Sequence, residues 1–272
     1  FSFLWLVGPD DSGRYRLRHR REEICGILVR GGADDNGVLT SDDVAQIAEC
    51  FPNIQVLALH NPGVASVWAS RLENFTRLKK LVVRLPLVDG RPASDKARQW
   101  TREKRRQVSQ RICEKLDCLE ALEVLELSCD LRDEDVRRIG ALSRLRELNL
   151  VYRNREYYDR SSYLPPVHEF TAQTLSDTLS RLPRLQSVDT TGCWLDGQMD
   201  WAALGELPHL ETLRIAWSEI DDDGLAGIEQ LSGLKTLDLS HTLITGRSLD
   251  AIAKLTELET LHIAATYVAD NL

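Results

Sequence analysis

The sequence predicts an α/β solenoid, in which short parallel strands stack beside short helices or 3₁₀ turns. Three observations carry that prediction. First, the stretch LKTLDLSHTLI at residues 234–244 returns as LETLHIAATYV at residues 258–268, 24 residues later. Second, the repeat extends backwards. Anchors equivalent to Leu261 fall at Leu237, Leu213, Val188, Leu148, Leu125, Leu81 and Leu57, with spacings of 24, 24, 25, 40, 23, 44 and 24. Around each anchor, apolar residues are expected at −12, −9, −6, −3 and +2. Counting the eight anchors themselves, only Ser176 and Thr190 of 48 positions are not apolar, whereas a composition of 43% hydrophobic residues fills about 21 by chance. Third, two periods coexist in each unit. The residues around the anchor alternate with period two, as on a strand, and the −12, −9 and −6 residues recur every third position, as on a short helix.

A unit of this size cannot bury its own leucines, but stacked neighbours can. Each buried leucine then stabilises by about 1.5–3 kcal/mol, so the stack is the fold. A ninth, weaker unit is expected at ICGILVRGG, residues 24–32. The expected organisation is an N-terminal cap or flank over residues 1–23, then one repeat domain of about eight to nine units over residues 24–272. Two long spacings mark insertions near residues 87–110 and 154–170.

The form LxxLxLxxTxI at 234–244 and 258–268 resembles the bacterial 24-residue type of the leucine-rich repeat family. The resemblance covers residues 24–268. It implies a curved solenoid with a parallel sheet on its concave side, short helices or 3₁₀ turns on its convex side, and a role as a protein-binding scaffold. In that family an asparagine usually stands three residues after the last strand leucine. Here the slot holds Thr266, Thr242, Ser218, Cys193 and Asp130, whose side chains have the chemistry to satisfy turn backbone groups. Arg153, Pro86, Pro62 and Gly32 break the pattern, so the turns of the N-terminal half are expected to be irregular.

Residues flanking the inward leucines should face the concave surface. The position after the anchor gives Asp189, Arg214, Asp238 and His262 on consecutive rungs, a ladder of alternating charge. The outermost column gives Asn61, Leu85, Cys129, Tyr152, Gly192, Trp217, His241 and Ala265. Its rings suit a binding hot spot. The first insertion reads SDKARQWTREKRRQVSQRICEKL over residues 94–116, an amphipathic helix with Ser94 as its expected N-cap. Its basic face includes Arg102, Arg105 and Arg106. The second insertion holds Tyr157, Tyr158 and Tyr163 close to Tyr152. Both insertions follow a strand, so they are expected to share one sheet edge and flank a groove.

Charge and motifs narrow the function. Residues 186–272 carry 15 acidic side chains against Arg214, Lys235, Arg247 and Lys254, a net of −11, which leaves −8 − (−11) = +3 for the rest. An acidic chain with pI near 5.4 does not suit nucleic acid. No phosphate loop, dinucleotide glycine motif, HExxH or GxSxG stands in the sequence, and the cysteines lack metal spacing. The expectation is therefore a non-enzymatic scaffold that binds a protein or peptide, with no cofactor, metal or catalytic residue. One alternative is a hydrolase using His262, paired with Asp238, or His168. Six scattered cysteines favour a reducing, cytoplasmic setting. FSFLWLV at residues 1–7 is expected to be a hydrophobic cap. Its alternative reading, the tail of an apolar segment lying upstream, makes the chain the soluble part of a membrane-tethered bacterial surface or signalling protein.

Overall fold

The structure is a computed structural model that describes residues 2–7, 24–30, 40–60, 62–85, 102–151, 169–193, 195 and 198–268. The chain divides into two compact units, Phe1–Asp130 and Leu131–Leu272. Each unit repeats one element: a short strand, a turn, a short helix or 3₁₀ turn, then the next strand parallel to the last. The fold is an α/β solenoid of short parallel strands and short helices.

In the N-terminal unit five strands run in chain order. They are β1 (Ser2–Val7), β2 (Ile24–Arg30), β3 (Val56–Leu59), β4 (Lys80–Arg84) and β5 (Val124–Ser128), each parallel to its predecessor. The anchors are in register: Ile27 faces Leu57, Leu57 faces Leu81, and Leu81 faces Leu125. Alternation buries Leu57, Leu59, Leu81, Val83, Leu125 and Leu127 at 0% exposure. Residues 2–7 are a strand of this sheet, an element that the sequence pattern does not reveal because no repeat anchor precedes Ile27.

Three helices belong to the same unit: α1 (Ser41–Cys50), α2 (Pro62–Ala69) and α3 (Arg102–Cys113). The first begins where Thr40 and Asp43 cap reciprocally. Asp43 N–H donates to Thr40 Oγ1 at 3.2 Å, and Thr40 N–H donates to Asp43 Oδ2 at 2.7 Å. Those bonds favour the ionised carboxyl and hold the Asp43 pKa below its usual value. The basic helix expected from Ser94 is described from Arg102. It packs beside α2 in the layer of repeat helices, with Arg111 donating to Ser66 Oγ at 3.0 Å.

The C-terminal unit is more regular. Its strands are β6 (Glu147–Asn149), β7 (Ser187–Asp189), β8 (Thr212–Arg214), β9 (Thr236–Asp238) and β10 (Thr260–His262), parallel and in chain order. Leu148, Val188, Leu213, Leu237 and Leu261 form one register column. Its helices are α4 (Asp133–Ile139), α5 (Ala172–Leu179), α6 (Trp201–Gly205) and α7 (Leu249–Ile252). The two polar exceptions are buried and hydrogen-bonded. Ser176 donates to Ala172 O and accepts from Asp200 N–H, both at 3.0 Å, and Thr190 donates to Arg214 O at 3.4 Å.

The turn slot works as the side-chain chemistry predicts. Ser218, Thr242 and Thr266 donate to the carbonyls of Ile215, Leu239 and Ile263 at 2.7, 2.6 and 2.9 Å. Cys193 Sγ donates to Leu150 O at 3.1 Å, and burial pushes its thiol well above the ordinary range. Cys113 is likewise buried in the core. One inward position departs from expectation. Leu261 is 36% exposed, because among the described residues no strand pairs with the far side of β10 and no following rung covers it.

Candidate functional site

In both units the leucines point towards the helices, and the residues between them face the other way. In the C-terminal unit that second face carries Asp189, Arg214, Asp238 and His262 on four successive rungs. Asp189 lies in register with Arg214, Arg214 with Asp238, and Asp238 with His262.

The two carboxylates each have a structural duty that the charge pattern hides. Asp189 Oδ1 accepts the N–H of Thr191 at 3.0 Å, and Asp238 Oδ1 accepts that of Ser240 at 2.9 Å. Asn149 does the same for Val151 at 3.1 Å in the equivalent position. These are Asx turns, which bend the chain out of the strand. Among the described residues no ion pair reaches Arg214, although it stands between two aspartates. No hydrogen bond joins Asp238 to His262 among them either. His168, the other histidine of the hydrolase reading, lies outside the described residues.

Beyond the strand, four successive turns adopt the left-handed conformation at one position. Gly192 has φ 80, Trp217 φ 58, His241 φ 58 and Ala265 φ 54. The N–H groups of Gly192, Trp217 and His241 donate to Ala216, Ser240 and Ala264 carbonyls at 2.9, 2.9 and 2.8 Å. The ladder thus continues one step past the strand, and the left-handed residue carries its side chain outwards. Glycine takes this conformation without cost, whereas tryptophan and histidine each pay about 1–2 kcal/mol for it. Both are half-buried, and their rings stack with centroids 3.6 Å apart at 18° between planes.

Other expected site residues fall differently. Arg105 is buried, 3% exposed, and not part of an exposed basic face. Its Nη2 lies 3.3 Å from Asp130 Oδ1, and Asp130 is equally buried. The reason lies in helix geometry: Arg105 shares a face with Val108 and Ile112, three and seven residues on, and that face packs inward. Arg106 is half-buried on α3, and Arg102 opens that helix. Leu85 and Cys129, expected in the exposed outer column, are buried in the N-terminal unit, where the left-handed turn does not occur among the described residues. Asn61, Tyr152, Tyr157, Tyr158 and Tyr163 lie outside the described residues. Among the described residues no cluster of histidine, cysteine or carboxylate side chains has metal-binding geometry, and no helix is long and apolar enough to cross a membrane.

No protein-family profile matches the chain, and no curated protein matches it. Several solved structures are similar to it over most of its length. An internalin from Listeria monocytogenes superposes with TM-score 0.47 at 15% identity, over 89% of this chain and 66% of that one. A TDR receptor gives TM-score 0.49 at 15% identity, over 89% of this chain and 38% of that one. A protein from Bacteroides fragilis gives TM-score 0.49 at 13% identity, over 91% and 68%. The chain thus spans from 38% to 68% of the length of these three.

Proposed function

We propose that the chain is a non-enzymatic scaffold that binds a protein or peptide on the sheet face of its C-terminal unit. One observation carries the reading: Trp217 and His241, stacked and half-exposed, sit at consecutive turn positions whose backbone favours glycine. Backbone strain held at a surface aromatic pair is a feature of binding sites more than of packing. Asp189, Arg214, Asp238 and His262 supply the polar rungs beside the pair. Arg102 and Arg106 on α3, and Tyr152, Tyr157, Tyr158 and Tyr163 of the second insertion, are the proposed flanks of an edge groove. Arg105 is withdrawn from that set, since its charge is spent on Asp130. The buried thiols of Cys113, Cys129 and Cys193 support a reducing, cytoplasmic setting.

The test is capture of a partner with the intact chain, followed by both rate constants. Trp217→Ala should speed dissociation about thirtyfold, since a central aromatic anchor contributes about 2 kcal/mol. Arg102→Ser with Arg106→Ser should slow association and flatten its salt dependence, because rim charges act on encounter. Parent-like binding by the Trp217 variant, with loss of binding on substitution of the helix-side surface, places the site on the wrong face and ends the proposal.

A further inference from the structure

We propose that the open edge of β10 is a second docking surface, which takes an extended protein segment as a further parallel strand. The segment has the form LKxLxL, with its lysine against Glu259 and its leucines beside Leu258, Leu261 and Ile263. This surface lies apart from the sheet face proposed above.

The backbone sets direction and register. In each rung one carbonyl takes two N–H groups from the rung that follows. Gln186 O accepts from Glu211 and Thr212 at 2.9 and 3.0 Å, Glu211 O from Lys235 and Thr236 at 2.8 and 2.9 Å, and Lys235 O from Glu259 and Thr260, both at 2.9 Å. Two donors point the same way. Ile215 and Leu239 N–H donate to the carbonyls of Asp238 and His262 at 3.0 and 2.8 Å, and Trp217 and His241 N–H to those of Ser240 and Ala264. The equivalent groups of the β10 rung are Glu259 O, Ile263 N–H and Ala265 N–H. None of the three has a hydrogen bond among the described residues. The edge therefore offers a newcomer what each earlier rung offers its parallel neighbour, which is the basis of strand addition.

The side chains repeat the pattern. Leu234, Leu237 and Leu239 are fully buried, with a rung on either side. Their equivalents are not: Leu261 is 36% exposed, and Leu258 and Ile263 are half-buried. A strand with apolar residues in the same register covers all three.

Charge selects the segment. The position two residues before the anchor reads Glu211, Lys235 and Glu259 on successive rungs. Lys235 Nζ bonds Glu211 at 2.8 Å, whereas Glu259 is exposed and has no ion pair among the described residues. A lysine on the next rung continues the alternation. Glu257 is exposed on the same rung, so the edge is acidic. A second copy of the chain brings its own Glu257 and Glu259 and is disfavoured, because opposed like charges destabilise strand pairs.

The experiment uses the whole chain and a fluorescein-labelled peptide LKTLDLSHTLI, the sequence of residues 234–244, whose lysine already pairs with a glutamate in this stack. A second peptide carries glutamate in place of that lysine. Anisotropy should show saturable binding of the lysine peptide, with the glutamate peptide about two- to fivefold weaker, as for one exposed ion pair. Glu259→Lys should reverse that order, which a loss of folding cannot do. Leu261→Asp should weaken both peptides about tenfold or more, because a strand docked there buries the new charge. Glu206→Gln, at an exposed position at the end of α6, should change nothing. No saturable binding, equal affinity for the two peptides, or an order that Glu259→Lys leaves unchanged overturns the proposal. So does self-association of the parent in sedimentation that Leu261→Asp abolishes, since the edge then belongs to a second copy. Each of these failures leaves the sheet-face reading standing, because Glu259 and Leu261 are not among its residues.

Discussion

Leu237 tests the register of the stack most directly. It sits at the centre of β9, fully buried, with Leu213 and Leu261 beside it in register. Leu237→Ala removes three carbons from a position walled by neighbouring rungs, which relax only in part. The cost is the lost transfer energy plus a cavity term, about 2–5 kcal/mol. For a chain of this size each kcal/mol lowers the melting temperature by about 2–4 °C, so the loss should be roughly 4–20 °C. Leu243, six residues on, is 40% exposed, and Leu243→Ala should stay within about 0.5 kcal/mol of the parent. Leu261→Ala should fall between them, since that leucine already meets water. Thermal melts followed by circular dichroism give all three values. Equal shifts for Leu237 and Leu243, or a larger one for Leu261 than for Leu237, refute the register.

Two further predictions concern polar contacts. Arg105→Ala should cost about 3 kcal/mol, because it strips a buried partner from Asp130, and Arg105→Ala with Asp130→Ala should cost less than the two single changes added; a parent-like melt for Arg105→Ala refutes the pairing. Asp222 joins one repeat to the next. It accepts Thr245 N–H at 2.9 Å and Thr245 Oγ1–H at 2.7 Å, together with the Ser248 hydroxyl, so Asp222→Ala should cost about 1–3 kcal/mol. Burial raises the Asp222 pKa, but the bonds from Ser248 and Thr245, with the Arg247 charge, outweigh it and leave the value lowered. A lowered folded value means that the contribution is present above the unfolded carboxyl pKa of about 3.9 and is lost as pH falls through the folded value. The stability gap between parent and Asp222→Ala, measured by denaturant melts from neutral to acidic pH, should therefore close at acidic pH; a gap that persists there refutes the assignment.

The stack was legible in the sequence because a repeat reports the same packing requirement many times over. Leu57, Leu81, Leu125, Leu148, Val188, Leu213 and Leu237 all lie where the anchor column predicts. A solenoid is quasi-one-dimensional, so local spacing and tertiary contact coincide. Legibility failed where that coincidence failed. The strand at Ser2–Val7 has no anchor before it to set a phase. Leu261 obeys the pattern, but among the described residues no rung covers its far side, and burial depends on the neighbour as well as on the residue. Arg105 was misread through its charge. Its spacing from Val108 and Ile112 already placed it on the packed face, but charge alone suggested solvent, and the buried Asp130 that accommodates it lies 25 residues away in the chain.

The proposed binding face was legible as a set of columns and illegible as chemistry. Alternating charges at Asp189, Arg214 and Asp238 suggest mutual ion pairs, yet among the described residues no such pair reaches Arg214. The backbone explains why. A strand that must turn two residues later leaves an N–H without a sheet partner, and the nearest carboxylate takes it, as at Thr191 and Ser240. The same demand explains the asparagine at Asn149, where charge has no part. The aspartates thus serve the turn first. Trp217 and His241 show the opposite order of priorities. Their turn position favours glycine, and Gly192 supplies it one rung earlier, so neither ring is there for the backbone's sake. Side chains that serve the turn are replaceable by others that make the same bond, whereas side chains kept against the turn's preference have a reason outside it. That contrast, within three consecutive repeats, supports the proposal that this edge of the C-terminal sheet is a contact surface.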